Sequence, residues 1–282
     1  MDKIIGLGQM GCNIAEEFSA YPEYRIYKIM DQSQDRGVLE LGSYNSMEDY
    51  ERNLDENEVT AYLRSIKSND EVLVVLGGGE AISGAVLKIL HCIKDSQLNV
   101  LYIAPDRSMS SLDDQRNDKI SFNVLQEYAR SGVINQIILV DYPSVEQLIG
   151  EVSIQNYNQQ INYLVCYAVA MTNFFKHTDP VMNVTLKPTE WASLTTIGVG
   201  SLESAEVNYL FPLEKVTELH FYFGIPSSDL QEDNSLMKRI KDYIKEFKDQ
   251  DIAVSFSVHE TTFDSLMVLC EAFSPHIQPF SS

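Results

Sequence analysis

Two glycine-rich turns constrain this chain more than any other feature, because each joins an apolar run to the start of a helix. The first, Gly6-Leu7-Gly8-Gln9-Met10-Gly11, follows Lys3-Ile4-Ile5 and fits the pattern GxGxxG. Glycines there allow a tight turn and let backbone N–H groups approach an anion at the helix N-terminus. The second, Gly77-Gly78-Gly79-Glu80-Ala81-Ile82-Ser83-Gly84, follows the apolar run 71–76. Three consecutive glycines at the carboxyl end of a strand contribute little packing, and suit a backbone that wraps a polyphosphate. Two such loops at one sheet edge fit a nucleoside triphosphate better than a single dinucleotide.

Around these loops the first half alternates strand and helix. Strands are expected at 3–7, 24–30, 71–76, 99–104 and 134–141, with helices beginning at 13, 59, 84 and 122 and an acidic segment at 47–58 ahead of the second of them. Apolar strands punctuated by helices imply a parallel sheet covered on both faces. A long helix is expected over 155–175. After Asp179-Pro180 the pattern changes to strands at 193–199, 218–223, 253–259 and 266–270 around one helix at 233–249. That helix places Leu236, Ile240, Tyr243, Ile244 and Phe247 on one face, with mixed charges on the other. The division so read is a nucleotide-binding domain at 1–152, a central helix at 153–176 and an α+β domain at 177–282.

Composition limits the partners. The chain has 282 residues and a formal net charge of −20, which argues against a general nucleic-acid binder needing a basic face. A ligand phosphate is still permitted, because backbone amides can hold one without lysines. Cys12, Cys92, Cys166 and Cys270 are scattered and the histidines lack ligand spacing, so a reduced, metal-free, cytoplasmic protein is expected. The apolar stretch 163–175 is too short to span a bilayer and reads as a buried helix.

The order of motifs resembles the tubulin/FtsZ superfamily over nearly the full length. Gly6, Gly8, Gly11 and Asn13 match the first phosphate loop, Met30-Asp31-Gln32-Ser33-Gln34 loosely matches the Asn-Thr-Asp-x-Gln pattern, and Gly77 to Gly84 stands where the family has GGGTGTG. Here the middle of that loop departs, carrying Glu80-Ala81-Ile82-Ser83 with an extra residue and no inner glycine. Pro105 matches the proline before a variable loop, and Thr196-Ile197-Gly198-Val199-Gly200 resembles the first strand of the second domain.

The resemblance implies a Rossmann-like α/β domain that binds GTP or GDP with Mg²⁺, a long central helix and a second α+β domain. The implied nucleotide contacts are Gly8, Gln9, Met10, Gly11, Asn13, Gly77, Gly78, Gly79, Glu80, Ser83 and Gly84, with Tyr157 and Asn162 at the guanine. Tyr142 stands where the family has another guanine-contacting asparagine. The implied partners are further copies of the chain, stacked head to tail, and an adaptor protein, with no direct nucleic-acid contact and no membrane span. The family's acidic catalytic loop finds only Asn183-Val184-Thr185-Leu186-Lys187-Pro188, without either acid, and Asp179 and Glu190 have the wrong spacing. A slow GTPase and a binder that does not hydrolyse therefore both stand, and no catalytic residue is assigned. Glu80 beside a triphosphate is repelled unless a cation lies between them; it marks either a metal contact or weakened nucleotide affinity.

Two other readings remain. The first loop also resembles the opening of hydroxyacid dehydrogenases, with Gly6, Gly8, Gly11 and Asp31 as NAD(P) contacts, but no catalytic Lys or His motif accompanies it and Gly77–Gly79 would have no role. A nucleotide-free structural or regulatory homologue of the filament family is the other.

Overall fold

The computed structural model describes residues 1–184, 193–248 and 251–280. The chain divides into two compact units, Met1–Cys166 with Pro279–Ser282, and Tyr167–Gln278.

In the first unit the strands are β1 (Lys3–Leu7), β2 (Arg25–Met30), β3 (Val38–Glu40), β4 (Glu71–Gly77), β5 (Gln97–Ala104) and β6 (Gln136–Asp141). They pair in parallel in the order β3-β2-β1-β4-β5-β6. β1, β4, β5 and β6 are apolar at nearly every position and buried on both faces, as a covered parallel sheet requires. β2, nearer the edge, alternates burial, with Tyr27 and Ile29 inward.

Helices α1 (Gly8–Glu17), α2 (Met47–Asn53), α3 (Glu56–Tyr62), α4 (Val86–Cys92), α5 (Leu112–Arg130) and α6 (Tyr142–Ile149) connect these strands, and α7 (Tyr157–Lys176) follows them. The division between the units falls inside α7, after Cys166.

Several boundaries differ from the sequence reading. α1 begins at Gly8 rather than at 13, so the first glycine turn is itself the opening of the helix. The acidic segment is helical: Ser46 and Asp55 accept backbone N–H groups as N-caps, and Glu48, Asp49, Glu56 and Glu58 fill first turns where negative charge is favourable. α5 starts at Leu112, ten residues before the expected start, behind a capping box of Ser111 and Asp114. α6 was not expected; Asp141 both closes β6 and caps it, with Pro143 in the first turn. A 3₁₀ turn, Ala81–Ala85, precedes α4.

The second unit contains β7 (Met182–Val184), β8 (Leu194–Ser201), β9 (Ser204–Tyr209), β10 (Glu218–Pro226), β11 (Ala253–Thr261) and β12 (Met267–Ser274), with α8 (Ser227–Glu232) and α9 (Leu236–Glu246). The order is β9-β8-β12-β10-β11-β7, antiparallel except for the parallel pair β10–β11. Period-two alternation sorts β10: Leu219, Phe221, Phe223 and Ile225 join the core with Leu236, Ile240, Tyr243 and Ile244 of α9. His220 and Tyr222 take the opposite face. There the buried Glu271 accepts from Lys176 Nζ at 2.7 Å and from Tyr222 Oη at 2.8 Å, while His220 meets Ser255 at 2.7 Å. β3, β9 and α8 were not read from sequence. The segment matched to the family's catalytic loop contributes Asn183 and Val184 to β7; Thr185 to Pro188, with Glu190, lie outside the described residues.

Candidate functional site

β1 and β4 are neighbours in register, Leu7 opposite Leu76, so both glycine loops leave the sheet side by side at its carboxyl edge. The strand order turns there: from β1 the chain first builds outward through β2 and β3, then returns to add β4, β5 and β6 on the other side. Open parallel sheets place ligands in the crevice at such a switch point.

The glycines have separate jobs. Gly8 has φ +75°, a left-handed conformation that favours glycine, and a Cβ there would run into Ile82 Cγ2 at 2.7 Å and into the Glu80 carboxylate. Gly11 lies flat against the Val75 carbonyl, bringing α1 onto β4. Gly77 faces the Met10 sulfur, where a Cβ would come to 2.8 Å. Gly78 lies under the Tyr102 hydroxyl and Asp118, and its N–H donates to Ile103 O at 3.0 Å. Gly84 abuts the Met47 backbone at the start of α2, a packing contact.

Supports for the second loop come from α5 and the end of β5, which the motif reading passed over. Asn117 Nδ2 donates to Gly79 O at 3.1 Å. Asp118, fully buried, accepts from Arg107 Nε at 2.7 Å and from the Tyr102 hydroxyl. Burial and the neighbouring carboxylate push the Tyr102 phenol well above its ordinary pKa, so it stays a donor. A signal existed: the buried positions of α5 are 118, 121, 122, 125, 126 and 129, a helical stripe on which Asp118 is the only acid.

Glu80 crosses from the second loop to the first. α1 has no side-chain cap of its own; instead Met10 N–H donates to Glu80 Oε1 at 3.2 Å, and the Gln9 amide also favours the charged carboxylate. Glu80 Oε2 is buried and has no hydrogen-bond partner. Desolvation is the main cause that pushes its pKa up to about 7, with Asp31 adding to it.

Gly8, Gln9, Met10, Gly77, Gly78, Gly79 and Glu80 are thus brought together. Asn13 is exposed one turn along α1, accepting from Gln9 Nε2 at 2.8 Å. Ser83 is turned inward, its hydroxyl 2.8 Å from that of Ser121. Tyr157 is half-buried at the start of α7 and Asn162 is buried five residues on; neither is among the groups that hold the two loops. Tyr142, in the first turn of α6, is near enough to Glu80 for the carboxylate to raise its pKa, after burial, the larger cause. Among the described residues no group of three or more His, Cys, Asp or Glu is arranged to hold a metal ion, so Mg²⁺ is assigned to no side chain. Among them, too, no helix is long and apolar enough to cross a membrane.

The α/β class, with a parallel first sheet and an α+β second unit, recurs in solved structures. Over 96% of this chain and 87% of the other, the structure is similar to the empty FtsZ dimer of M. jannaschii, with TM-score 0.71 and 13% identity. It is similar to a GTPγS-form protofilament of Bacillus thuringiensis serovar israelensis TubZ, with TM-score 0.73 and 17% identity, over 99% and 88% of the two chains. A GTPγS-bound protofilament of CetZ2 from Haloferax volcanii gives TM-score 0.69 and 14% identity, over 97% and 92%. No protein-family profile and no curated protein sequence matches the chain. The protein has the tubulin/FtsZ-like fold.

Proposed function

We propose that this is a filament-forming protein that binds GTP at the carboxyl edge of β1 and β4 and stacks head to tail with copies of itself. The observation that carries the reading is the pair of glycine loops on adjacent central strands at the switch point of the sheet. Backbone amides at Gly8–Met10 and at Gly79 would meet the phosphates, with no lysine required; the Gly78 amide is already given to Ile103 O. Tyr157 and Asn162 are the proposed guanine contacts, and Mg²⁺, if it accompanies the nucleotide, would be held by the phosphates rather than by a protein cage. Near-full-length likeness to FtsZ, TubZ and CetZ favours this reading over a nicotinamide-dependent dehydrogenase. A contact between unlike faces that does not close on itself generates a filament. Cytoplasmic residence and recognition by an adaptor protein belong to the same proposal.

Gly79 is the cleaner position for a test. A Cβ there comes to 3.2 Å from Asp114 Cβ, whereas one at Gly78 would press on Tyr102 and Asp118 and disturb the fold. Calorimetric titration with GTP should show saturable binding by the native chain and its loss in Gly79→Val, with melting curves establishing that the variant is folded. Binding of NADH in place of GTP would overturn the reading.

A further inference from the structure

We propose that the Glu80 carboxylate is an internal occupant of the phosphate cradle, which an incoming nucleotide phosphate must displace. The proposal rests on the nucleotide reading above and adds a regulatory element to it.

The geometry is that of an anion already bound. α1 opens with no cap from its own segment, and the acceptor for the Met10 amide is Glu80, seventy residues away, at 3.2 Å. The carboxylate lies over Gly8, in space that any side chain at position 8 would fill. Backbone N–H groups at a helix start attract a carboxylate and a phosphate for the same reason: each puts negative charge on unpaired donors at the positive end of the helix dipole. One set of amides cannot serve both at once.

The occupant is held imperfectly, which makes it displaceable. Oε2 is buried with no partner, and a buried carboxylate oxygen left unbonded is costly. The titratable groups acting on Glu80, or acted on by it, are Cys12 of α1, Asp31 after β2, Tyr50 of α2 and Tyr142 of α6. None of these is a cation. Desolvation pushes the pKa up to about 7, so Glu80 can take up a proton within the neutral pH range. A protonated Glu80 loses most of its hold on the amides and no longer repels a phosphate. Nucleotide binding should therefore be linked to proton uptake or to outward rotation of Glu80, and should weaken as pH rises through 7.

The test compares the native chain with Glu80→Gln and Glu80→Ala by calorimetric titration at pH 6.5 and pH 8, using GDP and, separately, inorganic pyrophosphate. Melting curves first establish that the variants fold. Relief of a desolvated charge predicts that both melt above the native chain at pH 8, with the gap closing at pH 5. At pH 8 both variants should bind GDP and pyrophosphate about tenfold or more tighter than the native chain. The ratio of variant to native affinity should shrink at pH 6.5, and because it is a ratio, the titration of the ligand's own phosphate cancels. Equal or weaker binding by the variants at pH 8 would overturn the proposal while leaving the nucleotide reading intact. Tighter pyrophosphate binding by the variants, with no nucleotide bound by any chain, would support the proposal and sink the nucleotide reading. Binding of neither ligand by any of the three would sink both.

Discussion

At the scale of single residues, the second glycine loop is fixed by Asp118. Its buried carboxylate receives Arg107 Nε and the Tyr102 hydroxyl directly above Gly78, and Arg107 in turn stacks on the Phe280 ring at 4.0 Å. Removing one partner from a buried charged network leaves the other without compensation. Asp118→Ala should lower stability by about 3–5 kcal/mol, read as a shift in urea midpoint. A loss below about 1 kcal/mol, the range of a surface pair, would mean the network does not hold the loop. The motif reading found Gly77–Gly79 but not this support, because no short pattern ties the end of β5 to the second turn of α5. Glu80 was visible as an anomaly in the loop. Its turn back onto the Met10 amide was not, since that contact spans seventy positions.

Among elements, the polar face of the second sheet has a pH dependence of definite sign. Burial lowers His220 to about 4 and also lowers His259, so the folded protein disfavours the charged form of each. The unfolded chain titrates histidine near 6.5 and therefore binds more protons than the native state below that pH. The His220 contribution to stability should be level above pH 7 and fall as pH drops from about 6.5 toward 4, by on the order of 2 kcal/mol, opposite in sign to that of Glu80. Thermal melts of the native chain and of His220→Asn over pH 4.5–8 would show it, the variant losing ground to the native chain less, or gaining on it, as pH falls from 6.5 to 4.5. Equal slopes for the two would contradict the assignment. None of this network was legible in the sequence, which gave β10 and β11 as strands without showing that their outward residues are covered. Legibility elsewhere followed patterning: β1, β4, β5 and α9 announce themselves by continuous or periodic apolar residues. α2, α3 and the start of α5 were obscured by dense acids and amides, although those acids are the capping and first-turn residues that make the helices.

For the whole molecule, the charge of −20 bears on the proposed assembly. Like-charged subunits that stack end to end repel, and the Debye length falls from ~30 Å at 0.01 M to ~8 Å at 0.15 M salt. Sedimentation of polymer should rise with ionic strength over that range, or with added Mg²⁺; a flat or falling yield would count against stacking of acidic faces. The fold was readable from two glycine loops, a long helix and the order of strands after it, because those features are local and their order resembles that of the tubulin/FtsZ superfamily. Filament formation is a further claim about surfaces. Electron microscopy of the purified protein with GTP, with GDP and without nucleotide tests it most directly. Filaments that depend on GTP are the expected result, and the absence of any polymer in GTP at protein concentrations and salt that screen the charge would contradict the account.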